Sequence, residues 1–181
     1  LGEKAITGKN TLWERSTRVP LIFVGPGVTK VARCPQPVEL LDIYPTLAEL
    51  CGLPARADLD GVQLQPLLRD PGKMISRPVI TTYDFGSYSV RWDQWHYIRY
   101  VDNSEELYDL EKDPEEWHNL VGERTYDTII ARLSSAIPID PVEFPESSLI
   151  PLMEHHIAPI KSKAHYFSEE RRRWMERFNV P

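Results

Sequence analysis

Between residues 79 and 110 the chain alternates short β-branched and aromatic runs with even shorter polar breaks. The runs are 79–83 (VITTY), 88–92 (YSVRW), 95–101 (WHYIRYV) and 106–110 (ELYDL). Asp93 and Gln94 make a tight connection between the second and third, and Asp102 and Asn103 follow the third. This reads as an antiparallel meander of about four strands. Sixteen prolines and nine glycines among 181 residues point the same way, toward many turns and short elements. With 41% hydrophobic and 27% charged residues there is enough apolar material for a core. A mainly disordered chain, a collagen-like chain and a disulfide-dense mini-domain are excluded. The length fits one domain, or a large domain with a small appendage.

Ahead of the meander, Leu21, Ile22, Phe23 and Val24 form an unbroken apolar run closed by Gly25, Pro26 and Gly27. That is the pattern of a strand buried on both faces and ending in a turn. Pro35 and Pro37 then hold an extended connection. Asp42 is placed to cap a helix over about 43–50, with Pro45 in its first turn and Gly52 as its stop. Ile43, Leu47 and Leu50 give that helix its apolar face. A strand followed by a helix suggests the edge of an α/β layer. Residues 54–77 read as loop, apart from a short apolar patch at 64–68. After the meander, 115 to about 132 reads as helix interrupted at Gly122. Residues 137–159 carry five prolines and read as an extended arm. Ser168 can cap a last helix, with Glu169 and Glu170 in its first turn and Trp174, Met175 and Phe178 on its apolar edge.

Side-chain chemistry by itself narrows the function little. A formal net charge of −6 argues against a broad nucleic-acid footprint. Residues 19–24, the longest apolar run, contain a proline and are far too short to span a bilayer. The chain opens on Leu1 with no signal-peptide pattern, and 1–4 read like the middle of a loop, so a piece of a longer protein is expected. G-x-S-x-G, Walker and H-E-x-x-H motifs are absent. Cys34 and Cys51 are the only cysteines. Two buried thiols are their plain reading, with a disulfide between them left open. His155 and His156 are adjacent and so poorly placed to share a metal. His96 reads as a structural strand residue, His118 as part of a turn, and Arg171, Arg172 and Arg173 as a solvated face. Lys4 and Lys9 lie in a polar loop before the apolar run, and strand-end loops of α/β layers are where sites are built. Without further information each reads as a surface lysine.

Several ordered motifs change that reading. Residues 1–23 (LGEKAITGKNTLWERSTRVPLIF), 38–47 (VELLDIYPTL), 61–68 (GVQLQPLL), 88–91 (YSVR) and 106–120 (ELYDLEKDPEEWHNL) resemble the C-terminal part of a type I sulfatase. These are formylglycine-dependent hydrolases of the alkaline phosphatase superfamily. The resemblance covers roughly residues 1–121 and is nearest to bacterial choline-sulfatase-like and iduronate-2-sulfatase-like enzymes. It implies an α/β fold: the end of a large mixed sheet over 1–77, a small antiparallel sheet with one packed helix over 78–136, and a proline-rich arm with a terminal helix over 137–181.

The resemblance also implies a chemistry. In the family a lysine about a dozen residues after an Asp-His-Gly contacts the sulfate and its leaving oxygen, and by that spacing the matching residue is Lys9. It would be both a catalytic and a substrate-binding residue, because a fixed ammonium stabilises the charge that develops on those oxygens. Lys4 stands where many members carry histidine. The family's Cys/Ser-x-Pro-x-Arg nucleophile motif is absent, and Cys34-Pro35-Gln36-Pro37 lacks its arginine. No metal ligand is assigned within the chain. Calcium (Ca2+) is expected on residues of an N-terminal sulfatase segment, which is also the expected partner, together with a sulfated small molecule or carbohydrate as substrate. The isolated chain should then be inactive. Family resemblance alone suggests a periplasmic, extracellular or lysosomal location. Trp13, Arg91, Trp92 and His96 are candidates to line a pocket but read more simply as core. The rival functions are a phosphodiesterase or phosphonate monoester hydrolase of the same superfamily, and a non-catalytic binding module.

Overall fold

Strand formation follows the aromatic runs closely. The computed structural model describes Lys4 and residues 11–26, 28, 31–73, 75–83 and 86–139. Lys9, the arm beyond residue 139 and the helix expected after Ser168 lie outside the described residues. The meander is present as β1 (Val79–Tyr83), β2 (Ser87–Trp92), β3 (Trp95–Arg99) and β4 (Glu105–Asp109). Neighbours pair antiparallel in the order β1-β2-β3-β4. Asp93 and Gln94 form the two-residue turn between β2 and β3, with Asp93 in the left-handed region at φ 54°.

Register puts Val90, Tyr97 and Leu107 on one face of the sheet and Ser89, Ile98 and Glu106 on the other. The first face packs against Leu133 and Ile137 in the larger core, with Ile129 and Ile130 beside them. Leu133 belongs to the helix Asp127–Ser134. Its complete burial is worth about 1.5–3 kcal/mol. The helix expected over 115–132 is therefore much shorter and begins twelve residues late, after a 3-10 turn at Arg124–Tyr126. The reason is an edge strand that needs partners. Asn119 accepts from Leu107 N at 3.0 Å and donates to Glu105 O at 3.1 Å, and Leu120 N donates to Leu107 O at 2.9 Å. A segment pairing with β4 cannot also coil, and Glu116 sits in the left-handed region at φ 60°.

Ahead of the sheet, α1 (Glu14–Thr17), α2 (Ile43–Leu50) and α3 (Gln65–Arg69) are short, as the proline content suggests. Gly52 follows α2 in a left-handed conformation, as its stop role requires. Asp42 stands at the start of α2 but does not cap it. Its carboxylate accepts from Val62 N and Glu39 N, each at 2.8 Å, and takes an ion pair from Arg77. Arg77 also donates to Glu39 at 2.8 Å, and Glu39 accepts from Ile80 N of β1 at 2.5 Å. This knot ties α2 to the sheet edge. Thr46 Oγ1 accepts from Leu64 N at 2.8 Å, which seats α3 on α2. The buried side of α2 is thus Pro45 and Thr46, and the apolar stripe expected at Ile43, Leu47 and Leu50 is not its core face: Leu47 is exposed.

Residues 21–24 also differ from expectation. They take no strand conformation, and Ile22 and Val24 are 78% and 92% exposed. A strand exists only through hydrogen bonds to a neighbour, and no described segment pairs with this one. The two cysteines are free and exposed rather than buried. Cys34 lies in the irregular connection, and Cys51 lies in the turn that ends α2, beyond the contact with α3. Among the described residues no helix is long and apolar enough to cross a membrane.

Candidate functional site

The second face of the sheet is where alternation would put solvent-facing polar residues. Instead it is covered. Leu12 and Trp13 lie on Ile98 and Tyr108, with Tyr83 and Tyr100 at the margin. Trp13 Nε1 donates to Glu106 Oε2 at 2.7 Å. Tyr108 OH donates to the same oxygen at 2.7 Å, and Tyr100 OH reaches Glu106 Oε1 at 3.3 Å. Glu106 is 1% exposed, so a carboxylate sits inside the protein with its oxygens satisfied by aromatic donors. The ammonium of Lys4 lies 4.5 Å from the centroid of the Trp13 ring and 4.7 Å from that of Tyr108. Cation–π attraction of this kind gains strength when the pair is desolvated. Burial, before any neighbour, pushes the Tyr108 hydroxyl well above its ordinary pKa, which keeps it a hydrogen-bond donor.

A second buried pair fixes α1. His96 Nδ1 meets Glu116 Oε1, and Glu116 Oε2 accepts from Glu14 N at 2.9 Å. That backbone N–H is one of the orphan donors of the α1 start. Arg91 Nε donates to Glu14 Oε1 at 3.0 Å, and Arg15 pairs with Glu115 at the surface. The turn that delivers Glu116 is held by Asp113, whose carboxylate accepts from His118 N at 2.7 Å. Burial pushes the Asp113 carboxyl up, but the backbone N–H groups of His118 and Trp117, with His118 and Lys4 nearby, outweigh it and hold its pKa below the ordinary range.

These contacts sort the residues singled out from sequence. Lys9 is outside the described residues. Lys4 is not a surface lysine but packs over two rings. Trp13 and His96 are buried core members, as their plain reading had it, and His118 lies in a turn. Trp92 is on the opposite face, under the Arg132 guanidinium at 3.9 Å. Arg91 is committed to Glu14 and to the carbonyls of Asp93 and Trp95. Sequence reasoning missed Glu106 and Glu116. The signal for Glu106 was a carboxylate in a strand one residue from Leu107 and two from Tyr108, in a run too aromatic to leave either face wet. Among the described residues no three His, Cys, Asp or Glu side chains converge to hold a metal ion.

Comparison with solved structures places this small sheet, with its helix on one face and its strap on the other, among sulfatases of alkaline-phosphatase-like fold. A Bacteroides thetaiotaomicron protein solved as a candidate sulfatase matches with a TM-score of 0.58 and 29% identity, over 87% of this chain and 33% of that one. Residues 2–139 match the family of the C-terminal domain of N-sulphoglucosamine sulphohydrolase, and the chain belongs to that family. It is 38% identical over 138 residues to a sulfatase of Formosa agariphila, covering 76% of this chain and 27% of the relative. It is 32% identical over 143 residues to a Delta 4,5-hexuronate-2-O-sulfatase of Bacteroides thetaiotaomicron, covering 71% and 29%. The chain thus spans between a quarter and a third of the length of these relatives.

Proposed function

We infer that this chain is the C-terminal part of an enzyme that hydrolyses a sulfate monoester of a carbohydrate, and that Lys9 is its contribution to the sulfate site. The family match across residues 2–139 carries this reading. The name of the hexuronate sulfatase relative supports a sugar as the alcohol. As the S–O bond to the leaving oxygen breaks, charge grows on that oxygen and on the peripheral sulfate oxygens. An ammonium already held beside them stabilises both without reorganising. In this reading Lys9 supplies that ammonium. The nucleophile, a formylglycine, and the ligands of the calcium ion come from a segment N-terminal to this chain, so the 181-residue chain by itself has no turnover.

The same segment is the partner that the surface calls for. Ile22, Val24, Leu40, Leu41, Tyr44 and Leu47 are all exposed. Exposed apolar side chains of this kind support a covering partner. Residues 1–77 are in this proposal the end of the large α/β domain, with 21–24 completing a strand beside a neighbour that the N-terminal segment provides, and 78–136 are the small subdomain. The test is turnover by the full-length protein of 4-nitrophenyl sulfate against bis(4-nitrophenyl) phosphate. A clear preference for the sulfate ester is expected. Preference for the phosphodiester would replace the reading with the phosphodiesterase alternative, and turnover of neither ester nor of a sulfated disaccharide would favour a binding module.

A further inference from the structure

At the hairpin end of the sheet, the β2–β3 turn, the end of β4 and two segments from ahead of the sheet enclose a groove of about 270 Å³. Drug-sized ligands fill pockets of roughly 300–1,000 Å³, so this one suits a single six-membered ring. Its walls are fixed before anything binds. The Gln94 carbonyl accepts from Leu110 N at 2.9 Å, which holds the turn to the end of β4. Arg91 donates to the carbonyls of Asp93 and Trp95, and Arg77 is tied to Glu39 and Asp42.

Pro35, Pro37, Ile75 and Leu110 line the groove with apolar surface. Its polar part is mixed. Gln94, Glu111 and Arg91 border it, and among the described residues the Gln94 amide, the Glu111 carboxylate and the second terminal nitrogen of Arg91 have no hydrogen-bond partner. Together they offer donors and acceptors at once. A hydroxyl both donates and accepts, so a polyol matches such a set, whereas a sulfate only accepts and would be repelled by Glu111. Charge favours the same ligand. Arg77 is paired with two carboxylates, Arg91 with Glu14 and Asp93 with Arg132, so with Glu111 the groove and its partners carry five carboxylates against three guanidiniums. An anion would enter against that excess, and a compact cation would face the Arg91 guanidinium.

We propose that this groove binds one sugar ring that carries no sulfate, with Gln94, Glu111 and Arg91 on its hydroxyls and the prolines, Ile75 and Leu110 against its C–H face. This rests on the reading above that the substrate is a carbohydrate, and it names a unit of that carbohydrate that the chain recognises in addition to the sulfated one.

Saturation-transfer NMR on the full-length protein tests the groove with methyl β-glucoside, methyl β-galactoside and methyl N-acetyl-β-glucosaminide, and with glucose 6-sulfate as the charged control. At least one of the three neutral glycosides should receive saturation. Gln94→Ala and Glu111→Ala should each weaken its binding by about fivefold or more, the factor for losing hydrogen bonds of ordinary strength. Melting temperatures should stay close to the parent's, since neither side chain belongs to the core. Glu111→Lys should raise binding of glucose 6-sulfate relative to the neutral glycoside by about threefold, because it evens the charge count. Saturation of none of the three, or saturation that neither alanine variant reduces, overturns the groove. Glucose 6-sulfate losing as much in the alanine variants as the glycoside does would overturn the choice of an uncharged ring. Turnover of 4-nitrophenyl sulfate, measured alongside, keeps the two readings apart. If it proceeds and the glycosides do not bind, the groove fails alone. If no sulfate ester turns over while glycoside binding depends on Gln94, the groove stands and the sulfatase reading falls.

Discussion

At the scale of single residues, three positions carry more than their side chains suggest. Lys9→Ala in the full-length protein should lower kcat on phenyl sulfate by about 10²-fold or more, the usual size for losing one charge-stabilising donor. Its melting temperature should hardly change, because in this reading the ammonium serves the substrate and not the packing. Gly61 is a matter of space. A Cβ built there would stand 2.0 Å from the carbonyl oxygen of Leu41, which is backbone and cannot swing away. Gly61→Ala should therefore destabilise by about 1–3 kcal/mol, read from denaturant unfolding, with residues 40–42 and the 61–64 segment prised apart. Arg77 is a matter of charge. It neutralises Asp42, which is fully buried, and bonds Glu39 at the sheet edge. Arg77→Ala should cost about 3 kcal/mol. A second change, Asp42→Asn, should recover part of that loss by removing the stranded charge. No recovery would mean that the knot is held by its backbone hydrogen bonds alone.

At the scale of elements, the turn over 113–118 decides where α1 can sit. Asp113 N donates to Asp109 O at 2.7 Å, Glu116 N donates to Asp113 O at 3.1 Å, and the Asp113 carboxylate takes His118 N. The outcome is a Glu116 delivered to both His96 and Glu14. Because the folded-state pKa of Asp113 is lowered, its ionised form favours the fold. That contribution is complete above the ordinary carboxylate range and is lost as pH falls through the depressed value. Asp113→Asn should therefore lower stability at about pH 7 but flatten its decline between about pH 5 and pH 3. The difference should stay below about 1 kcal/mol, since the group is partly exposed and screened by solvent. Melting temperatures across that range check it, and parallel curves for the two proteins would show that Asp113 is not the titrating support of the turn.

At the scale of the whole molecule, the two halves of the chain are unequally finished. The sheet from 79 to 109 is covered on both faces, by Leu133 and Ile137 on one side and by Leu12 and Trp13 on the other. The half before it leaves Ile22 and Val24 in water. If the N-terminal part of a sulfatase covers them, Ile22→Lys has opposite effects in two settings. In the 181-residue chain alone it should improve solubility and reduce self-association, because it breaks an exposed apolar patch. In the full-length protein it should destabilise by about 2 kcal/mol or more, because a charge is then buried without a partner. A neutral effect in both, by light scattering and thermal melts, would show that this surface is not an interface.

Read by itself, the sequence was enough for the β2–β3 hairpin, for the order of all four strands, and for α2 with its stop at Gly52. Each is set by near neighbours: β-branched and aromatic runs, a two-residue break, a proline in a first turn. Family membership was also legible, since motifs separated by 13 to 19 residues keep their order whatever the fold does with them. Three things were decided only in three dimensions. Residues 115–121 became a partner for the edge of β4 because Asn119 matches the unpaired groups of Glu105 and Leu107, which lie 14 and 12 residues away in sequence. The polar face of the sheet became an interior because Trp13, 93 residues from Glu106, brought a donor to its carboxylate. The apolar run at 21–24 stayed open because a strand needs a neighbour to bond, and hydrophobicity alone does not supply one. In each case the deciding partner is remote along the chain, and local pattern carries no information about which remote group will arrive.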